Sequence, residues 1–443
     1  MTYADVQRFL EDLIRPERPR RPYTDVKLAR MRDLLARIGD PQAGLRGILV
    51  AGTKGKGSTA VMLSEILRRA GLRTGLAVKP HLVDYRERIQ VDGEMIPEQD
   101  LVSLVEEVRP AVEAGGAGPW GLATYVEVTV AMAFLYFVRR RVDAAVVEVG
   151  IGGRLDATNT LDPVVSVITP ISYDHTELLG TTLEAIAGEK AGIIRPGGRV
   201  VSAPQPPEAD SVITQAAAAA GAHLVRVGSD VAVRLLEASL GGVHAEIETG
   251  GDRYDVRVPL IGRHQALNAA TAIAAAEALR DRGIAVPRET IRAALAGVRW
   301  PARVELVSTR PYTIVDAGHN PASMTALRDT LAELLGGRRL VLLFGMLATK
   351  DYRAVTALIA PLADQVVTTR PDNPHALTAE DLAAEVRRHT PSVVAIEDRA
   401  LALGEARRLT GPDDVLVITG SFYMVGEVRA RLLHRKPATQ ARR

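Results

Sequence analysis

Between residues 312 and 420 the chain alternates two textures. Short apolar runs, "YTIVDAG" (312–318), "RRLVLLFG" (338–345), "QVVTTR" (365–370), "SVVAIED" (392–398) and "DVLVITG" (414–420), are each followed by helical spacing that starts near 321, 351, 378, 400 and 423. Strands covered on both faces read as unbroken apolar runs, and crossover helices return the chain, so this pattern predicts βα units on a mostly parallel sheet. Upstream, "GILVAG" (47–52), "AAVVEVG" (144–150) and "VVSVITPI" (164–171) read as strands of the same kind. Stretches 121–139, 181–192 and the alanine-rich 264–283 keep helical spacing, and 222–260 alternates as a small sheet would. The texture changes at "VRWPARVE" (298–305), and 443 residues exceed the usual reach of one core. We therefore expect two α/β domains, 1–298 and 299–443, the first with a parallel-rich sheet and a phosphate loop, the second Rossmann-like.

The first strand runs straight into "GTKGKGST" (52–59), after which Met62, Leu63, Ile66, Leu67 and Ala70 continue at helical spacing. Strand, glycine-rich turn and helix N-terminus together favour a polyanion. Gly52, Gly55 and Gly57 permit close backbone approach, Lys56 reaches terminal phosphates, and Ser58 or Thr59 offers a hydroxyl. The spelling is not G-x-x-x-x-G-K-[ST], and a flexible turn is the alternative reading. A second block, "VVEVGIGGRLDATN" (146–159), puts Glu148 near the end of a strand, where a carboxylate suits Mg²⁺; a solvated turn with an Arg154–Asp156 pair is the alternative. In "SYDHTELLGTTLEAIAGEKAGIIRPG" (172–197), His175 is a metal ligand or a hydrogen-bonded structural residue, and Lys190 is functional or a partner of Glu189.

Composition sharpens the lysines. Only seven of the 55 basic residues are lysine, and Lys54, Lys56, Lys79 and Lys190 lie in or beside these motifs. A chain that uses arginine almost everywhere keeps lysine where a compact amine matters. The net charge of +2 and the lack of a basic block argue against nucleic acid or an anionic membrane as partner. The run 128–138 stops at three arginines, short of the roughly 18 residues of a membrane span. The N-terminus is too charged for a signal peptide, and with no cysteine the chain has neither disulfides nor thiolate chemistry. The expected compartment is the cytoplasm.

Taken together, "GTKGKGS", "VEVGIGGRLDATN", "DHTELLGTTLEAIAGEKAGI", "GRHQALNAATAIA", "RWPARVE", "DAGHNP" and "ITGSFYMVGEVR" resemble, in order and spacing, the folylpolyglutamate synthase/dihydrofolate synthase family of Mur-type ATP-dependent amide ligases. The resemblance covers about residues 45–430 and implies a Mur-ligase ATP-binding domain followed by a Rossmann-like glutamate-ligase domain. It implies that L-glutamate is joined to a folate- or pteroate-type carboxylate through an acyl phosphate, with ATP and Mg²⁺, by a monomer. In that family Gly52, Thr53, Lys54, Gly55, Lys56, Gly57, Ser58, Thr59, Asn268, Arg303 and Asp316 would hold ATP. Ser58, Glu148, His175 and a carbamylated Lys190 would hold the metal. Lys56, Lys190, Asp156 and His319 would act in catalysis, and Lys79, His81, Arg88, Thr124 and Glu127 would line the substrate cleft. Lys79 stands where the family usually has a serine that ligates Mg²⁺, which an ammonium cannot do. "DAGHN" inverts the family's Gly-Ala order, and Ala302 replaces a glycine. A peptidoglycan Mur ligase and a non-catalytic ATP-binding relative are the other readings; only 51 residues precede Gly52, little for the former's UDP-binding domain.

Overall fold

In the computed structural model, which describes residues 1–14 and 26–433, the strand Gly47–Ala51 lies near the middle of an eight-stranded sheet. From one edge the order is Glu94–Met95, Ile89–Val91, Thr74–Ala77, Ala144–Glu148, Gly47–Ala51, Pro163–Ile168, Arg199–Ser202 and His223–Arg226. The last six are mutually parallel and the first two antiparallel. Pleating explains the unbroken apolar spelling: Ile48 and Val50 enter the core on one face, Leu49 and Ala51 the core on the other. The first face carries the helices Lys56–Arg69, His264–Arg280 and Arg288–Ala296; the second carries Val26–Arg37, Glu98–Gly116 and Tyr125–Arg139. Alanine dominates His264–Arg280 because Ala269, Ala270, Ala272 and Ala274 to Ala276 are all buried, so the helix lies close on its neighbours. A three-stranded antiparallel sheet, Ala232–Ser239, Gly242–Glu248 and Arg253–Val258, packs its alternate side chains into the same core.

The second sheet has six strands in the order Glu305–Thr309, Tyr312–Val315, Val415–Thr419, Leu340–Phe344, Gln365–Thr368 and Val393–Ala395. All but the first are parallel, and Leu342 and Phe344 face one core while Val341 and Leu343 face the other. The helices Pro321–Leu335, Tyr352–Ile359, Ala379–Val386, Arg399–Leu409 and Phe422–Leu432 begin within two residues of the expected starts. Among the described residues no helix is long and apolar enough to cross a membrane. Both parallel sheets present the carboxyl ends of their strands to loops rich in glycine and charge, the usual place for a ligand in such a fold.

Candidate active site

The glycine loop is held by its own backbone before any ligand arrives. Thr53 and Lys54 N–H groups both donate to the Pro170 carbonyl (3.0 and 3.2 Å). Thr53 Oγ1 donates to the Ser172 carbonyl at 3.0 Å and accepts from Ser172 N at 3.1 Å. At Gly52 φ is +142° and an added Cβ would lie 1.9 Å from Thr169 Oγ1, so no other residue fits. Gly55, at φ +77°, caps the helix Lys56–Arg69, whose first N–H groups face the loop. Ser58 and Thr59 are buried in its first turn, and Thr59 Oγ1 has no hydrogen-bond partner. Lys56 Nζ donates to the Gly52 and Thr53 carbonyls (3.1 and 3.2 Å), so the amine folds over its own loop. Burial pushes that amine below the usual lysine range, against the pull of Glu148 and Asp174.

The two other N-terminal motifs meet this loop. Glu148 ends its strand in register with Val50 and is buried; its Oε2 accepts from Lys79 N at 2.9 Å. Asp156 organises the turn between them: Oδ1 accepts from Thr158 N and Oγ1 (3.0 and 2.6 Å), Oδ2 from Gly150 N and Ile151 N (both 3.2 Å). Gly153 lies against the carbonyls of Glu189 and Lys190, where a Cβ would approach to 2.7 Å, so this turn packs on the end of the helix Leu183–Ala191. Lys190, 4% exposed, donates from Nζ to the Gly52 carbonyl at 2.8 Å. Burial, then the Lys56 charge, brings its pKa down to about 7. His175 adopts a left-handed φ of +51°, with Asp174 and Glu177 carboxylates at 3.8 and 3.7 Å from its ring nitrogens. Burial lowers its pKa too, with Lys350 and Lys56 opposing a positive imidazole and Asp174 resisting.

The helix His264–Arg280 and the loops around the second sheet close the other side. Asn268, hydrogen-bonded to Gln265 at 2.9 Å, sets Oδ1 within 2.5 Å of where a Gly55 Cβ would be. The Trp300 ring lies over Gly57, 3.1 Å from such a Cβ, and its Nε1 is buried without a partner. The Arg303 guanidinium stacks on Phe422 (4.8 Å) and Trp300 (5.9 Å), and His319 packs on Phe422 at 5.4 Å between centroids. Asp316 accepts from Val304 N and Gly318 N (3.0 and 2.8 Å); burial raises its pKa against the Arg303 charge. His319 Nδ1 lies 3.1 Å from the Ala317 carbonyl, and burial brings its pKa to about 4. It is therefore neutral, with Nδ1 donating and Nε2 left as an acceptor.

The remaining predicted residues are divided. Arg88 Nε donates to His81 Nδ1 at 2.7 Å, and burial with the Arg88 charge brings His81 to about 3, which makes it a neutral ring. Thr124 and Glu127 form a capping box on the helix Tyr125–Arg139. Glu127 is buried and paired through both oxygens with Arg30 (2.7 and 2.8 Å). Its carboxylate is thus taken up within the protein, and Thr124 Oγ1 is spent on it at 2.9 Å. Trp300, Phe422 and Lys350 were not picked out from sequence. The first two lie within the quoted motifs, and Lys350 was findable as one of the few lysines.

Two family models match the chain: the Mur ligase middle domain over residues 50–276, and the Mur ligase glutamate ligase domain over 302–422. The dihydrofolate synthase/folylpolyglutamate synthase of Bacillus subtilis is 36% identical over 408 residues, 91% of this chain and 94% of that protein. That of Mycobacterium tuberculosis is 37% identical over 442 residues, 91% of this chain and 90% of its own. The structure of the Mycobacterium tuberculosis folylpolyglutamate synthase complexed with ADP superposes with a TM-score of 0.90 at 35% identity, covering 98% of this chain and 99% of that one. An Escherichia coli protein in complex with DHPP and ADP gives 0.85 at 30% identity, covering 98% of each chain.

Proposed function

This chain belongs to the Mur ligase family, in its dihydrofolate synthase/folylpolyglutamate synthase branch, and on that premise we propose how its residues join L-glutamate to a folate-type carboxylate with ATP. The observation that carries the reading is the convergence of Lys56, Glu148 and Lys190 on the loop Gly52–Thr59, with Trp300 packed on Gly57 and the Arg303 charge near enough to act on Lys56, Asp316 and Phe422 lying beside Arg303.

A carboxylate is a poor acyl donor, so its oxygen first takes the γ-phosphoryl group and releases ADP. The glutamate amine then attacks the carbonyl carbon, phosphate leaves and the amide forms. The loop N–H groups and Lys56 take the phosphates, once Lys56 exchanges the Gly52 and Thr53 carbonyls for phosphoryl oxygens. Asn268 and Arg303 bound the nucleotide from the opposite side, and Asp316 keeps Arg303 oriented. Asp156 holds the turn that carries Glu148's neighbours, and Thr124 and Glu127 brace the cleft wall from behind. Sealing the cleft between the two sheets protects the acyl phosphate from water. We assign residues 1–298 to the ATP-binding unit and 299–443 to the glutamate-ligase unit.

The donors present suit Mg²⁺. Glu148 keeps Oε1 free of hydrogen bonds, Ser58 contributes a hydroxyl and His175 is biased to its neutral form. Among the described residues no three His, Asp or Glu side chains cluster to hold a metal ion. The ion when bound would neutralise charge on the transferred phosphoryl group. Lys190, with a large neutral fraction near pH 7, is suited to add CO₂, losing a proton and becoming an anionic carbamate.

The test is Mg·ATP-dependent phosphate release with glutamate, against dihydropteroate, reduced folate monoglutamates and a UDP-muramoyl peptide, products followed by mass spectrometry. A gain of one glutamate on a pterin acceptor is expected; turnover on the UDP-peptide alone, or on no acceptor while ATP still binds, would overturn the reading.

A further inference from the structure

We infer that the Lys79 ammonium receives the reacting carboxylate of the acceptor substrate and holds it while it is phosphorylated and then attacked. The inference rests on the functional reading above and specifies one more contact within that site. Lys79 follows the strand Thr74–Ala77 at the carboxyl edge of the sheet, and its main chain is fixed by the bond from its N–H to Glu148 Oε2. Its side chain then reaches over the glycine turn: a Cβ on Gly150 would stand 3.5 Å from Nζ. There Nζ is buried and has no hydrogen-bond partner among the described residues. The nearest carboxylate oxygen, Asp156 Oδ1, is 3.9 Å away, beyond hydrogen-bond distance. Both Asp156 oxygens already accept two donors each from its own turn. Lys56 and Lys190, by contrast, both donate to the Gly52 carbonyl. The Lys79 amine is thus left with the Asp156 carboxylate as an ion-pair partner at 3.9 Å and without a hydrogen-bond acceptor among the described residues, an arrangement that calls for an explanation.

The missing acceptor is an anion that comes and goes. ATP is already provided for by the loop amides, the helix N-terminus and Lys56. Lys79 sits across Glu148 from that loop, beside Asp156, whose charge together with that of Glu148 acts on Lys56. Two anionic reactants remain, glutamate and the acceptor, and of these it is the acceptor carboxylate that must meet the γ-phosphorus beside this loop. One of its oxygens forms the bond to the γ-phosphorus as the bond to ADP breaks. Its second oxygen carries negative charge before that step and again in the tetrahedral adduct with glutamate nitrogen, until the C–O bond to phosphate breaks and the amine proton passes to water. An ammonium fixed on that second oxygen stabilises both charged stages and transfers no proton itself.

Because the chain has no cysteine, Lys79→Cys carries a single thiol. Alkylating it with bromoethylamine in urea and refolding returns an ammonium of lysine length, whereas iodoacetamide leaves a neutral side chain; wild type is taken through the same cycle. Lys79→Met serves as the variant that needs no refolding. The expected result for Lys79→Met is a kcat/KM for the pterin acceptor down by about 100-fold, with affinity for a non-hydrolysable ATP analogue within about threefold by calorimetry. Aminoethylation of Lys79→Cys should restore most of the loss, and carboxamidomethylation none. If Lys79→Met keeps its acceptor kcat/KM within about threefold, or loses nucleotide affinity in proportion, the inference is overturned. A wild type that adds no glutamate to any pterin acceptor would instead overturn the functional reading, and this inference with it.

Discussion

Single residues carry most of the chemistry here, and Lys190 has the strongest pH signature. Its folded value of about 7 lies below the ordinary 10.5, mainly from burial. Carbon dioxide adds only to the neutral amine, so in the forward assay kcat should fall as pH drops through 7 and recover with bicarbonate. Lys190→Met should lose roughly 10–100-fold in kcat and no longer respond to bicarbonate. The same shift sets a stability window. Between about 7 and 10.5 the unfolded chain holds the proton that the folded chain has shed, so stability rises with pH there, and below 7 the burial penalty is complete. In bicarbonate-free urea titrations, Lys190→Met should therefore be the more stable protein near pH 6, with the gap closing toward pH 10. Glu127 teaches the opposite lesson. Its motif is readable in sequence, but its partner Arg30 stands 97 positions away, and only the fold shows that the carboxylate is occupied. Arg30→Met should cost about 3–5 kcal/mol in chemical unfolding by stranding that carboxylate, and the double variant with Glu127→Met should recover much of it.

At the scale of elements, legibility followed burial. The runs from 312 to 420 were readable almost to the residue because each strand is apolar on both faces and each helix begins just beyond it. The strands Ile89–Val91 and Glu94–Met95 are too short to show a period, and the helix Glu98–Gly116 hides behind an internal Pro110 and terminal glycines. Thr2 and Asp5 spell a capping box for Tyr3–Asp12 that only the structure brings out. The glycine loop was legible as strand, turn and helix, yet the reason for Gly57 was not, since it depends on Trp300. With two tryptophans in the chain, a Trp120→Phe background isolates that ring. Nucleotide addition should then change Trp300 emission, and Gly57→Ala, which pushes into the ring, should blunt the change and weaken ATP-analogue binding. An unaltered spectrum on saturation with nucleotide would show that Trp300 does not face the bound ligand.

For the whole molecule, the question is what couples the two sheets. The seam includes Trp300 on the phosphate loop, Arg303 stacked on Phe422, the Arg263–Glu333 ion pair, and the helix Phe422–Leu432 lying directly on the turn after Lys79. That last contact is tight: a Cβ on Gly426 would stand 2.0 Å from the Leu82 carbonyl oxygen. The turn it presses carries Lys79 and His81, while the same helix begins at Phe422, against Arg303 and His319. A displacement of this helix would therefore disturb both walls of the cleft at once. Gly404, in the helix Arg399–Leu409, has nothing within 4 Å and serves as the matched control. Gly404→Ala should leave turnover intact and add up to about 1 kcal/mol of stability, as alanine does in an open helical position. Gly426→Ala should lower kcat by about tenfold or more and weaken ATP-analogue binding as well, because Arg303, which bounds the nucleotide, stacks on Phe422 at the start of this helix. Small-angle scattering of the nucleotide complex should show Gly426→Ala more open than wild type. Equal turnover in the two variants would mean that the contact between this helix and the turn after Lys79 is passive.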